Sequence, residues 1–369
     1  VQEDIYSLST PHLIIRRDVL ENNIRDMALF AQSAGVSLRP HIKSHKIPEI
    51  ARLQIEFGAK GITVSKIGEA EVMADSGIDD IFIAYQIIGR DKILRLVDLA
   101  KRVNVRVGVD SLYGLDILNE AFENQGSAID VLIEIDTGLK RCGLEPGKGV
   151  IDFAKEVLKR RALNFKGIFT HAGNAYGAQN RDQVRQIGEE EGRIMARLAG
   201  ELTRHGINVE EVSVGSTPTA KISGKEKGVT EIRPGNYVFY DAIQMGLRTA
   251  DENMCSLRVL TTVISKPSPD RAIIDAGSKT FALDKGAHGV SNVKGFGYVV
   301  GKKGVVIERL SEEHGILDIS QNHDIQIGEI LEIIPNHACP VINLFDEVAY
   351  VEGSRVKGFW KIAARGKNR

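Results

Sequence analysis

At 369 residues, with 43% hydrophobic and 26% charged side chains and a net charge of -1, the chain has the composition of a globular protein long enough for two domains. That near-zero charge offers no long-range field for nucleic acid or an anionic membrane, and no window nears the ~20 apolar residues of a membrane span. Three widely spaced cysteines (Cys142, Cys255, Cys339) do not make a disulfide framework; they point to a reducing compartment, and the cytoplasm is the expectation. The N-terminal residues lack a signal-peptide pattern, while a start at Val1 rather than Met leaves a removed segment open.

In chain order, the apolar run His12–Arg16 is expected to pair into a β-rich domain built mainly from the C-terminal third. Short apolar strands then recur at 38–43, 61–64, 81–84, 105–109, 131–136, 167–171, 211–214 and 237–240. Between most of them lie segments of helical period, such as 48–57, 67–77 and 182–204. Pro48 suits a first helical turn, and Gly77 and Gly206 suit helix ends. Eight β/α units, the last irregular, predict a (β/α)8 barrel whose strands are covered on both faces. From about residue 250 the helical period disappears. Runs at 259–264, 271–274, 304–310, 329–334, 348–351 and 356–362, punctuated by Gly, Pro, Asn and Asp, predict an all-β domain. The expected division is a barrel over 17–250 and a β domain from 1–16 plus 251–369.

Chemistry in such a barrel belongs at the carboxyl ends of the strands. Lys43, His45, Asp136, Arg141, His171, Tyr176 and the triplet Gly215, Ser216, Thr217 all fall there. The densest group is RPHIKSHK at 39–46, two lysines, two histidines and an arginine in eight residues. Alone, it is either a solvated charge cluster or a cofactor site.

Four motifs decide between those readings: RPHIKSHK at 39–46, DTGLKRCG at 136–143, RPGNYVFYD at 233–241 and PNHACPVINLFD at 335–346. In this order, on a barrel followed by a β domain, they resemble the D-threonine aldolase and D-serine dehydratase family of fold-type III, alanine-racemase-like pyridoxal-phosphate enzymes. The resemblance implies that Lys43 holds pyridoxal 5'-phosphate as a Schiff base, with Lys46 the competing assignment. Such an amine must have a lowered pKa, which Arg39, Lys46, His41 and His45 are expected to provide as neighbouring positive charges. Two stretches compete for the phosphate: Gly215, Ser216 and Thr217, a strand-to-helix turn with free N–H groups, and Gly235 with Asn236, which follow the family pattern. The resemblance further implies Arg141 near the cofactor's phenolic oxygen, Arg233 facing its ring nitrogen, and Tyr176 in acid/base work. His171 is a candidate acid/base group whose plain alternative is a packing role.

His337 and Cys339 stand two apart, expected on an extended segment with both side chains on one side. A His-x-Cys pair is weak evidence by spacing. The resemblance makes it a divalent-metal site, and a thiolate favours zinc over the harder manganese or magnesium. The implied activity is a lyase acting on D-β-hydroxy-α-amino acids. Dehydration is slightly favoured by Cys339 and by the pattern His171-x-Gly173-Asn174-x-Tyr176, since aldolases of the family often carry aspartate two positions after the metal histidine. Retro-aldol cleavage is the alternative, supported by the closing segment 359–366. A racemase fits less well because it needs a second base and no metal, and a non-catalytic cofactor carrier because it has no need of the β domain. The partner implied is a small D-amino acid, and the β domain suggests a homodimer. Cys142 and Cys255 are expected as buried hydrophobes, His288, His314 and His323 as solvated, and the glutamates at 189–191 as an exposed face; residues 275–280 carry no assigned role.

Overall fold

The computed structural model describes residues 4–286 and 293–369. Of the sequence expectations, His288 lies outside them. Among the described residues two sheets organise the chain. The first comprises eight parallel strands: β2 (Ser37–Leu38), β3 (Ile62–Val64), β4 (Asp80–Gln86), β5 (Asn104–Val109), β6 (Ile129–Ile135), β7 (Leu163–Thr170), β8 (Glu211–Val214) and β9 (Glu231–Ile232). Pairing runs β2-β9-β8-β7-β6-β5-β4-β3. A parallel bridge from His41 to Thr63, with Thr63 N–H donating to Pro40 O at 2.8 Å, brings the two ends together.

Seven helices pack outside: α1 (Arg17–Ala34), α2 (Pro48–Glu56), α3 (Ile67–Asp75), α4 (Arg90–Ala100), α5 (Leu112–Glu123), α6 (Lys148–Leu158) and α7 (Arg181–Arg204). Each turns an apolar stripe inward; on α7 the buried positions include Val184, Gly188, Met195, Leu198 and Leu202, the spacing of one helical face. No helix among the described residues is long and apolar enough to cross a membrane.

Two expected strands differ. The strand at 38–43 ends at Leu38, because Pro40 and the following 3-10 turn Ile42–Ser44 break the ladder. Residues 237–240 are not a strand at all: the eighth barrel strand is the two-residue β9, and Asn236–Val238 form a 3-10 turn after it.

The barrel interior is filled by charge at one level and by rings at another. Arg39, fully buried, donates to Asp80 at 2.6 Å and Glu231 at 2.8 Å. Arg106 joins Asp80 and Glu211 beside it. Phe82 and Phe169 meet edge to face at 5.0 Å, with Leu132 against them.

The second sheet has nine strands: β1 (His12–Arg16), then β10 (Leu257–Ser268), β11 (Arg271–Ile274), β12 (Tyr298–Val299), β13 (Val306–Leu310), β14 (Gly315–Asp318), β15 (Ile330–Ile334), β16 (Glu347–Glu352) and β17 (Arg355–Lys361). As expected, β1 joins this sheet, antiparallel to β10 and parallel to β16. It leads straight into α1, which ties the second sheet to the barrel. Asp275 pins its centre, accepting from Thr10, Thr261 and the Thr262 N–H.

His45 sits in the buried wall with Nε2 against Gln54 at 3.2 Å, and burial pushes its pKa down to about 3. The unfolded chain therefore takes up a proton near the ordinary pKa of 6.5 that the folded chain refuses. Stability is complete above that value and is lost as pH falls towards about 3. Equilibrium unfolding in urea at about pH 8 and about pH 5 should show a loss of about 2 kcal/mol attributable to this group. A His45→Gln protein should lose correspondingly less, and equal losses would show that His45 is not held neutral.

Candidate active site

The carboxyl ends of the barrel strands open into a cavity of about 570 Å³. His41, Lys43, Arg141, His171, Tyr176, Gly215, Ser216, Thr217, Arg233, Gly235, Asn236, His337 and Cys339 all line it. These candidates thus reach one space, although the sequence spreads them over about three hundred positions, whereas Asp136 and His45 of the expected rim do not line it.

Lys43 lies in the 3-10 turn after β2, and burial lowers its pKa, helped by Arg141 and Arg233 and opposed by Cys339 and Glu69. The neighbours expected to do this do not. Arg39 is neutralised inside the barrel, His45 faces Gln54, and Lys46 pairs with Glu69 at 3.3 Å outside the cavity lining. His41 alone of that group reaches the cavity. Its Nδ1 accepts from the Lys43 N–H at 3.4 Å, which leaves Nε2 as donor to Ser65 Oγ at 3.3 Å. Burial, with the charges of Lys43 and His171, holds His41 well below the ordinary histidine value.

The two phosphate candidates are neighbours. Thr217 Oγ1, in the turn before α8 (Ala220–Ser223), accepts the N–H of Tyr237 at 3.1 Å, which joins that turn to the one carrying Gly235 and Asn236. Not all of the N–H groups expected to be free are so: Gly215 donates to Glu191 Oε1 at 2.8 Å and Ser216 to Thr219 Oγ1 at 3.1 Å. Glu191 is therefore a correction to the exposed glutamate run, being 1% exposed and a brace for this turn. Its signal was in the sequence: it stands three past Gly188 and four before Met195, on the buried stripe of α7.

Arg233 lies under the cavity, its guanidinium 5.7 Å from the Phe82 ring centre and 5.3 Å from that of Phe169. It donates to Ser213 Oγ at 2.5 Å and to Thr170 O, while its buried Nε has no partner. Arg141 is half-exposed, 3.8 Å from Glu134. The Asp136 carboxylate shapes its loop by accepting the Gly138 and Lys140 N–H groups. Cys142 is exposed rather than buried, whereas Cys255 is buried as expected. Asp110, Glu134 and Cys142 gather within 4.8 Å, but Asp110 is engaged by Gly143 and Gln86 and Glu134 by Gln86, so the group reads as a brace for the Arg141 loop. Burial raises the Tyr176 phenol far above its ordinary value, against hydrogen bonds with Gln244 and Thr217.

His337 and Cys339 do not share an extended segment. His337 caps the short helix Ala338–Ile342 and Cys339 lies in its first turn, yet both reach the cavity. Burial opposes charge on either, but each stabilises the other: the thiolate and Asp284, 3.7 Å away, raise His337, and His337 lowers Cys339. Ser44 Oγ lies 3.2 Å from Cys339 Sγ. Asp241 holds the helix from beneath, accepting from the Ala338 N–H at 3.0 Å and from Asn236 Nδ2 at 2.7 Å.

This donor set fits the groups the motifs imply. A desolvated amine, a buried guanidinium Nε–H without a protein partner, and an imidazole beside a thiol suit a cofactor and a metal. Fold and cavity define an alanine-racemase-like enzyme. Residues 15–242 match the alanine racemase N-terminal domain and residues 256–351 a serine dehydratase domain. The chain is 33% identical to a D-threonine aldolase of Arthrobacter sp., over 98% of this chain and 94% of that one. It is 32% identical to a D-threo-3-hydroxyaspartate dehydratase of Delftia sp., over 92% and 93%. The crystal structure of D-threonine aldolase from Filomicrobium marinum superposes with a TM-score of 0.93 at 32% identity, over 100% of this chain and 98% of that one. The chain belongs to the D-threonine aldolase and D-serine dehydratase family of pyridoxal-phosphate lyases.

Gly215 has a φ of +101°, and an added Cβ would stand 3.3 Å from the Ala220 Cβ. Gly215→Ala is expected to destabilise the protein by about 1–2 kcal/mol and to weaken cofactor binding, read by thermal unfolding and by titration with pyridoxal phosphate. Gly200→Ala, on α7 with nothing within 4 Å of the new atom, should leave both unharmed.

Proposed function

We propose that this enzyme is a divalent-metal-dependent lyase acting on D-β-hydroxy-α-amino acids, with dehydration to a 2-oxo acid and ammonia as its reaction. The observation that carries this reading is the His337–Cys339 pair facing the same cavity as Lys43, with Ser44 and Cys339 in contact between them. When bound, pyridoxal phosphate supplies an electron sink for bonds at the substrate α-carbon, and a divalent metal supplies a Lewis acid for the β-hydroxyl.

In this reading Lys43 is the covalent anchor, and its depressed pKa keeps a neutral amine available. Ser216, Thr217, Gly235 and Asn236 hold the phosphate. Arg233 would offer its Nε–H to the ring nitrogen, and Arg141 would hold the phenolic oxygen. His171 and Tyr176 move protons at the α-carbon and β-oxygen, and burial keeps the Tyr176 phenol protonated until then. His337 and Cys339 hold the metal, and the thiolate favours zinc over manganese or magnesium. Two protein ligands leave positions for the substrate hydroxyl. Retro-aldol cleavage to glycine and an aldehyde is the second reading, favoured by the 33% identity to a D-threonine aldolase along nearly the whole chain.

The homodimer belongs to this proposal. Tyr85, which lines the cavity, is exposed together with Ile88, Leu112 and Tyr113, an apolar group at the end of β4, the loop after it and the first turn of α5, suited to a second copy.

Product analysis tests the reaction. Pyruvate and ammonia from D-serine, abolished by EDTA and restored by zinc, are expected; glycine and acetaldehyde from D-threonine without dehydration would decide for the aldolase. Activity indifferent to thorough chelation would end the metal assignment. Lys43→Ala should lose the absorbance of lysine-bound cofactor, whereas its retention would move the anchor to Lys46. Light scattering should give a dimer, and a fully active monomer would overturn that part.

A further inference from the structure

Lys46, left over once Lys43 is taken as the anchor, is built into the molecule as tightly as any site residue. It is 6% exposed and adopts a left-handed backbone (φ 58°) that lysine rarely occupies. Its Nζ donates to Asn343 Oδ1 at 3.0 Å and Asn368 Oδ1 at 3.4 Å, and pairs with Glu69 at 3.3 Å. Glu69 is itself fixed, its other oxygen accepting the Ser65 and Lys66 N–H groups. Lys46 O accepts the Ala364 N–H at 3.1 Å.

The partner that matters is Asn343. It caps the carboxyl end of the helix Ala338–Ile342, whose other end carries His337 and Cys339, and its Oδ1 also accepts the Gly366 N–H at 2.9 Å. The anchor segment and the metal helix therefore meet twice: Ser44 against Cys339 at one end, Lys46 against Asn343 at the other. Asp241 already holds the amino end of this five-residue helix from beneath, and the contact of Lys46 with Asn343 adds a hold at its carboxyl end. The left-handed turn at Lys46 is what directs its side chain back to Asn343 while Lys43 faces the cavity.

We infer that Lys46 is a positioning residue for the metal pair, clamping the helix that carries His337 and Cys339 against the segment that carries Lys43. The inference rests on the proposed reading of those two residues as metal ligands. Partners that orient ligands without touching the metal typically govern its affinity by about 10–100-fold.

The test is zinc affinity of the cofactor-loaded enzyme, measured by competition with a chromophoric chelator, together with the thiolate-to-cobalt absorption of the cobalt-substituted form. Lys46→Met is expected to weaken zinc by about 10–100-fold and to shift or diminish the cobalt–thiolate band, while the absorbance of lysine-bound cofactor persists. Should Lys46→Met fail to fold, Asn343→Leu removes the same contact from the other side with a side chain of similar shape and should behave alike. Asn343→Asp, which keeps an acceptor for Lys46, should restore affinity and spectrum. The double variant should add little beyond either single one. Variants that melt at lower temperature but keep wild-type zinc affinity and cobalt spectrum would reduce Lys46 to a structural residue and overturn the inference. Wild-type enzyme that takes up no zinc or cobalt would overturn the ligand reading and this inference with it.

Discussion

Everything in this molecule depends on how its barrel closes, and closure rests on a buried guanidinium. Strands β2 and β9 are two residues each, too short to hold a seam by ladder hydrogen bonds alone. Arg39 compensates by bonding β4 through Asp80 and β9 through Glu231 from inside the barrel. Gly61 makes room: a Cβ there would come within 2.5 Å of the Arg39 guanidinium and of Asp80 O. Truncating one partner of such a group leaves an uncompensated buried charge, typically at about 3–5 kcal/mol, so the seam is strongly specified even though the pair itself need not add net stability. Lys43 is four residues beyond Arg39. The same contact that closes the barrel therefore sets where Lys43 emerges.

Above that charge the interior changes character in a way that serves chemistry. Glu231 accepts from Ser213, Ser213 accepts from Arg233, and Arg233 lies near the Phe82 and Phe169 rings. This chain links the seam to the cavity floor and holds a guanidinium in place without surrounding it with carboxylates. Its buried Nε–H has no partner within the protein, which suits a preorganised cofactor site. Asp241 performs the matching task at the wall, joining Asn236 of one cavity turn to the backbone between His337 and Cys339.

Much of this was legible in the sequence because barrels write themselves plainly. Short apolar strands alternating with amphipathic helices gave the architecture, and strand ends picked out the rim where Lys43, Arg141, His171 and Tyr176 gather. What was not legible follows from local geometry that periodicity does not encode. Residues 237–240 read as a strand because they are apolar and aromatic; they are buried equally well in a 3-10 turn and the segment after it. Arg39, His45 and Lys46 look like one charge cluster with Lys43, yet the turn at 42–44 and the left-handed Lys46 send them to three different environments. Charge proximity in sequence was mistaken for proximity in space. Glu191 was the opposite case, a residue whose helical phase placed it inside while its neighbours Glu189 and Glu190 stayed out.

The choice between dehydration and carbon–carbon cleavage turns on the direction in which a proton moves at the β-oxygen. Elimination needs that oxygen to leave as hydroxide or water, and so benefits from an acid beside it; retro-aldol cleavage needs the hydroxyl proton removed, and so benefits from a base. Burial, with the charges of Cys339 and Asp241, raises the Tyr176 phenol, which keeps it protonated at neutral pH and makes it slow to give that proton up. His41 is held neutral, but its Nδ1 and Nε2 are engaged by Lys43 N–H and Ser65, which occupies the lone pair a base would use. Of these two groups, one carries a proton and the other offers no free lone pair. A retained phenol proton is in keeping with the proposed elimination, and it rests first on the burial of Tyr176 and only then on its neighbour Cys339.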